Sequence, residues 1–114
     1  MAARFFAAAD LGATSGRVIL GRLTDGRSEL TETARFANTP IERDGHLHWD
    51  FARLADEVTR GFQAAYDASG GRLESLGIDT WGVDYGRLDP GGALLEPPFN
   101  YRDARTDGAI DRLF

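Results

Sequence analysis

The first 36 residues constrain the fold most, because they are short apolar runs broken at polar turn residues. Arg4–Ala9 is apolar and ends in Asp10, which reads as a buried strand. Gly12, Ser15 and Gly16 interrupt it. Arg17–Leu23 resumes with Val18, Ile19 and Leu20, and Thr24-Asp25-Gly26-Arg27 supplies a hairpin turn. From Glu29 to Phe36 the residues alternate. Leu30, Ala34 and Phe36 fall on one face, interrupted by Glu32, with Glu29, Thr31, Thr33 and Arg35 on the other, which predicts a half-exposed strand. Three consecutive strands joined by tight turns predict an antiparallel meander.

After Pro40, Asp44-Gly45 marks another turn and His46-Leu47-His48-Trp49 follows it. Asp50 reads as a helix N-cap. Phe51, Leu54, Ala55, Val58, Phe62, Ala65 and Tyr66 then recur at spacings of three and four, one stripe of an amphipathic helix. Gly70-Gly71 closes it. A further strand is expected from Leu76-Gly77-Ile78, continuing past a break at Gly82 through Val83–Leu88. Asp89-Pro90-Gly91-Gly92 is a turn, and a new helix is expected near Thr106. The chain stops at Phe114, a few residues into that helix, so a longer intact protein is expected.

Composition excludes several chemistries. With 114 residues the chain is at most one domain, burying roughly 65% of its unfolded surface. A formal net charge of −5 argues against nucleic acid or an anionic membrane as the main partner. No apolar run is long enough to span a bilayer, and the Phe5–Ala9 run is too short for a signal-peptide core, so a cytoplasmic protein is expected. There is no cysteine, hence no disulfide, thiolate nucleophile or Cys-ligated zinc. All 13 basic residues are arginine, so a Walker-type loop with its lysine and Schiff-base chemistry are both excluded.

Asp10-Leu11-Gly12-Ala13-Thr14-Ser15-Gly16-Arg17 places an acidic residue at a strand end before a turn of small residues. Backbone N–H groups with the Thr14 and Ser15 hydroxyls can form an anion-binding concavity, and Arg17 adds charge nearby. A carboxylate beside phosphates is repulsive by about 4 kcal/mol at ~4 Å and an effective dielectric near 20. The arrangement makes sense with a divalent cation between them, and magnesium needs only one or two carboxylates. A plain hairpin with a solvated aspartate fits the same residues, and the loop alone does not choose. Asp79-Thr80-Trp81-Gly82-Val83-Asp84 offers carboxylates for hydroxyl groups, a flat indole face for sugar C–H groups and a glycine that admits a close ligand. Taken alone it reads more readily as an internal strand with a glycine bulge and a core tryptophan.

Together with Gly45-His46-Leu47-His48-Trp49-Asp50 and Tyr101-Arg102-Asp103-Ala104-Arg105-Thr106, these two blocks resemble the rhamnulokinase family of FGGY carbohydrate kinases, within the actin-like and hexokinase-like ATPase superfamily. The resemblance runs in order over nearly the whole chain. It implies an α/β, ribonuclease-H-like domain, a β-meander plus helices, of which residues 1–114 form an incomplete N-terminal half. It implies ATP and Mg2+ as ligands, and transfer of the γ-phosphoryl group to L-rhamnulose, a small-molecule sugar. Asp10 matches the residue that handles magnesium, and Ala13, Thr14, Ser15, Gly16 and Arg17 match the nucleotide-phosphate loop. Gly82 matches a substrate-contacting glycine, with Thr80, Trp81, Asp84 and Arg102 lining the same pocket. The general-base aspartate and the adenine pocket lie beyond position 114, so no catalytic base is assigned here, and the isolated chain is expected to be inactive and open to self-association. A kinase for another ketose or linear sugar, or a non-catalytic sugar- or nucleotide-sensing module, are the alternatives.

Other signals weigh less. His46 and His48 read as a solvated or packing pair, Phe51, Phe62 and Tyr66 as core, and Glu29, Glu32, Arg35 and Arg53 to Arg60 as solvated faces. Asp103-Ala104-Arg105 reads either as a sugar contact or as a surface ion pair.

Overall fold

A computed structural model describes residues 2–114 as a mixed α/β chain that divides into two compact units. The first takes in the chain up to Asn38 together with Ala52–Trp81; the second takes in Thr39–Phe51 and Gly82–Phe114. Among the described residues no helix is long and apolar enough to cross a membrane.

In the first unit, β1 (Arg4–Leu11), β2 (Ser15–Thr24) and β3 (Arg27–Ala37) form the expected antiparallel meander. Asp25 and Gly26 both take positive φ, the paired left-handed conformation of a two-residue hairpin turn. The helix α1 (Phe51–Ala68) then returns the chain to β6 (Leu73–Asp79), which pairs parallel with β1 and completes the order β3-β2-β1-β6. The helix starts directly after Asp50 and ends in a two-glycine cap. Gly71 N–H donates to the Tyr66 carbonyl and Gly70 N–H to the Asp67 carbonyl, both glycines at positive φ.

Phe5, Ala7 and Leu20 pack with Ala65 of α1, with Phe62 and Leu73 half-buried against them. The buried positions of α1 are Leu54, Val58, Gly61 and Ala65. The expected aromatic core stripe is corrected: Phe51 and Tyr66 are 51% and 48% exposed, and only Phe62 is partly covered. Leu54, Val58 and Ala65 of the expected stripe are buried, joined by Gly61, where helix and sheet approach closely. A Cβ on Gly61 would overlap the Val18 side chain and lie 3.0 Å from Ala34 Cβ.

The face assignment of β3 is also corrected. Ala34 pairs with Val18 while Glu32 pairs with Ile19, leaving Thr33 as one extra residue. This bulge shifts side-chain parity, so Leu30 is 73% exposed whereas Phe36 is 7% exposed. The Thr33 hydroxyl reaches the carbonyls of Gly61 (3.0 Å) and Val18 (3.3 Å), tying the bulge to the helix.

The second unit contains the hairpin of β4 (Ile41–Arg43) and β5 (His46–His48), turned by Asp44 and Gly45 at positive φ. It also contains a 3-10 turn (Ala104–Thr106) and α2 (Ala109–Leu113), in the region where a helix was expected. Val83–Leu88 is not a strand. Val83 and Tyr85 are 74% and 66% exposed, and the segment's ladder contact is a single Leu88–Leu94 bridge across the expected Asp89–Gly92 turn. A segment without a neighbouring strand to pair with stays irregular.

Candidate functional site

Alternation along β1 sends Phe5, Ala7 and Ala9 to the helix-covered face and Asp10 to the open one. Arg17 is the register partner of Asp10 across β2, and its Nη2 and Nε lie 3.2 and 3.3 Å from Asp10 Oδ2. Both side chains are about half exposed, 47% for Arg17 and 46% for Asp10. On the other side, Asp79 is the parallel register partner of Asp10. Partners in a parallel pair share a face, so two carboxylates stand side by side where β1 and β6 end. Thr80 and Trp81 follow directly in the same unit. Along the open face, Arg35 pairs with Arg17 in register and donates to Glu32, holding the Glu32 carboxyl below the usual carboxylate range. The row across the sheet end therefore reads Asp79, Asp10, Arg17, Arg35, two acidic residues followed by two basic ones.

Ala13 and Thr14 lie in the turn that joins β1 to β2, and Ser15 and Gly16 are the first two residues of β2. Gly12 N–H is spent inside the loop, donating to the Ser15 carbonyl at 2.9 Å. A Cβ on Gly16 would overlap the Phe36 ring, so this glycine is required by packing beneath the loop whatever lies above it. Reading the sequence missed Asn38, which is 1% exposed and directed at the loop. Its Nδ2 donates to the Gly12 carbonyl (2.7 Å) and its backbone N–H to the Thr14 carbonyl (3.0 Å). An Asn directly after an alternating strand was the available signal. Arg53 was also underread as solvated, since its Nη2 donates to the Ala37 carbonyl at 2.8 Å.

Gly82, Asp84 and Arg102 belong to the second unit. Gly82 is exposed, and a Cβ there would meet nothing within 4 Å, so packing gives no reason for a glycine. Asp84 Oδ2 accepts the indole N–H of buried Trp49 and, at 3.3 Å, the backbone N–H of Tyr101. It also lines a 250 Å3 cavity with Tyr85, Arg87, Glu96, Phe99 and Arg105. Arg102 is exposed and stands over the Tyr101 ring, 5.3 Å from its centroid.

Two weaker readings resolve. His46 and His48 form a packing pair against Phe99, at ring-centroid distances of 5.5 and 4.4 Å. Asp103 is not on the surface: its side chain is 3% exposed, and its ion pair with Arg105 spans 3.8 Å. Its carboxylate accepts the N–H of Leu47 (2.7 Å), His46 Nδ1–H (3.0 Å) and the N–H of Arg105 (3.1 Å). The Leu47 N–H, then those other bonds, hold its carboxyl below the usual range, against the opposing push of burial.

Among the described residues no three His, Cys, Asp or Glu side chains converge as a metal site. Asp10 beside Asp79 suits a cation that keeps most of its waters and takes one or two protein carboxylates, which is the habit of magnesium.

No family model matches the chain. It is 43% identical to the rhamnulokinase of Bacillus subtilis (strain 168) over 108 residues, 95% of this chain and 22% of that protein. Identity to the rhamnulokinase of Pectobacterium carotovorum is 45% over 112 residues, 96% of this chain and 22% of the relative. Identity to that of Bacteroides thetaiotaomicron is 45% over 109 residues, with the same two coverages. Over nearly all of its residues this chain is related to the rhamnulokinases, of whose length it spans 22%.

Proposed function

We propose that this chain is the N-terminal part of the first domain of an ATP-dependent sugar kinase, a cytoplasmic enzyme that phosphorylates L-rhamnulose to L-rhamnulose 1-phosphate. The observation that carries the reading is the register of Asp10 with Asp79, at the start of the small-residue loop and of the Thr80–Gly82 segment. Ligands of open sheets bind beyond the carboxyl ends of parallel strands, and β1 and β6 are the parallel pair. A meander whose first strand pairs parallel with the strand after a helix also suits a ribonuclease-H-like sheet.

In this reading the loop from Ala13 to Arg17 receives the nucleotide phosphates, with Thr14 and Ser15 hydroxyls as donors. Magnesium, when bound, neutralises charge on the phosphoryl group. Asp10 orients that cation's water shell, helped by Asp79. Arg17 balances the Asp10 carboxylate in the free protein and turns to phosphate oxygens in the complex. Gly82 leaves room for the sugar against the backbone, and Asp84 and Arg102 of the same unit are the groups for its hydroxyls; Thr80 and Trp81 are further candidates for sugar contacts. The base that deprotonates the sugar is assigned to no residue of this chain.

The test replaces the matching segment of the Bacillus subtilis rhamnulokinase with these 114 residues and follows ATP-dependent phosphorylation of L-rhamnulose. The chimera should turn over. Asp10→Asn should lower kcat at least about 100-fold, the scale of losing one group that stabilises transition-state charge, with little change in sugar KM. Gly82→Val should instead raise sugar KM, because the fold tolerates the added atoms there. Undiminished turnover in Asp10→Asn would reduce the loop to a hairpin.

A further inference from the structure

Asn38 lies in no part of the phosphate loop, yet this one buried residue holds two of its carbonyls from outside, those of Gly12 and Thr14. In a trans peptide the C=O and the following N–H point in opposite directions. Fixing the Gly12 carbonyl toward Asn38 therefore turns the Ala13 N–H away from it, and fixing the Thr14 carbonyl does the same to the Ser15 N–H. We propose that Asn38 is a positioning residue that presents the Ala13 and Ser15 amides to the phosphates of a nucleotide. The proposal rests on reading residues 10–17 as a phosphate loop. The amide is chosen for its donor: Nδ2 meets a carbonyl, an oxygen there would repel it, and Oδ1 has no hydrogen-bond partner among the described residues. Arg53 anchors the support by holding the neighbouring Ala37 carbonyl at the start of α1.

Two variants test this. Asn38→Ala deletes the donor without adding charge, and Asn38→Asp replaces it with an acceptor of the same shape. In the 114-residue chain, amide hydrogen exchange at Gly12 and Asn38 should accelerate about tenfold or more in both, with β1 and β6 unchanged, because local opening is read residue by residue. In the chimera, KM for Mg-ATP should rise about 5- to 10-fold with sugar KM unmoved, the scale of one lost buried hydrogen bond. Unchanged loop exchange and unchanged nucleotide KM, with Asp10→Asn still inactivating, would overturn the role of Asn38 and leave the phosphate loop standing. Protection lost equally from every strand in both variants would make Asn38 a general support and also overturn it. A neutral Asp10→Asn would remove the phosphate loop and this proposal together.

Discussion

The two units of this chain are held by different means. In the sheet unit, hydrogen bonds run in ladders and apolar residues at alternate strand positions face Leu54, Val58, Gly61 and Ala65, three and four apart on α1. In the second unit the strands are three residues long, and its buried polar residues His48, Asn100 and Asp103 do the joining. His48 Nδ1–H donates to the Pro97 carbonyl, Asn100 N–H to the Leu47 carbonyl, and Asp103 gathers three donors. One unit is held by repeated contacts, and the other by a few buried polar bonds. Packing changes should therefore dominate in the first, and protonation in the second.

The largest effect is expected at Gly61. By helix propensity alone, Gly61→Ala should stabilise by about 1 kcal/mol. The structure reverses that sign, because the new methyl overlaps Val18 and crowds Ala34. Overpacking of this kind costs about 1–3 kcal/mol, so urea unfolding should show net destabilisation. A stabilised variant would mean that helix and sheet do not meet as closely as described, and would erase the contrast between the units.

Gly61 also marks where the sequence stops being legible. The meander, both positive-φ turns, the start of α1 and its glycine cap could be read, because each is a local rule written in consecutive residues. Of the α1 stripe, Leu54, Val58 and Ala65 could be read as well, but Gly61 could not, since stripe counting passes over glycine, and Phe51 and Tyr66 sat at the right spacing yet stay exposed. The bulge at Thr33 was visible only as the misfit of Glu32 in an alternating strand. At the candidate site, Asp10 and the glycines stood out by type and order. Asn38 and the Asp10–Asp79 register did not, because both are pairings across 26 or more residues that only the assembled sheet produces. Val83–Leu88 looked like a strand for the same reason: pattern gives a strand's faces but not its partner.

Acid should separate the two units next. Asp103 has its carboxyl held low in the folded chain, so the unfolded chain takes up the proton first. Its contribution is complete above the ordinary carboxylate value near ~4 and is lost as pH falls through that value towards the lower folded one. Amide exchange at Leu47 and Arg105 should therefore accelerate across this window before exchange in β1 and β2 does. Asp103→Asn should remove that pH dependence while weakening the unit at neutral pH, because the substituted amide places a donor where His46 or a backbone N–H donates. If the sheet and the second unit lose protection together, the chain behaves as one cooperative body and the comparison fails.

The smallest effect is expected where the contact looks strongest. Arg4 grips Glu74 through three hydrogen bonds of 2.8–3.1 Å, joining β1 to β6, and both partners hold each other's charged form. Yet the side chains are 59% and 42% exposed, so water competes for each donor and salt screens the attraction. Arg4→Ala should barely move the urea midpoint, and the small shift should vanish in high salt. The ladder between β1 and β6 continues from Phe5 to Asp10 without it. A loss as large as that of Gly61→Ala, persisting in salt, would mean that this edge strand depends on a single polar clasp. The sheet would then share the construction of the second unit.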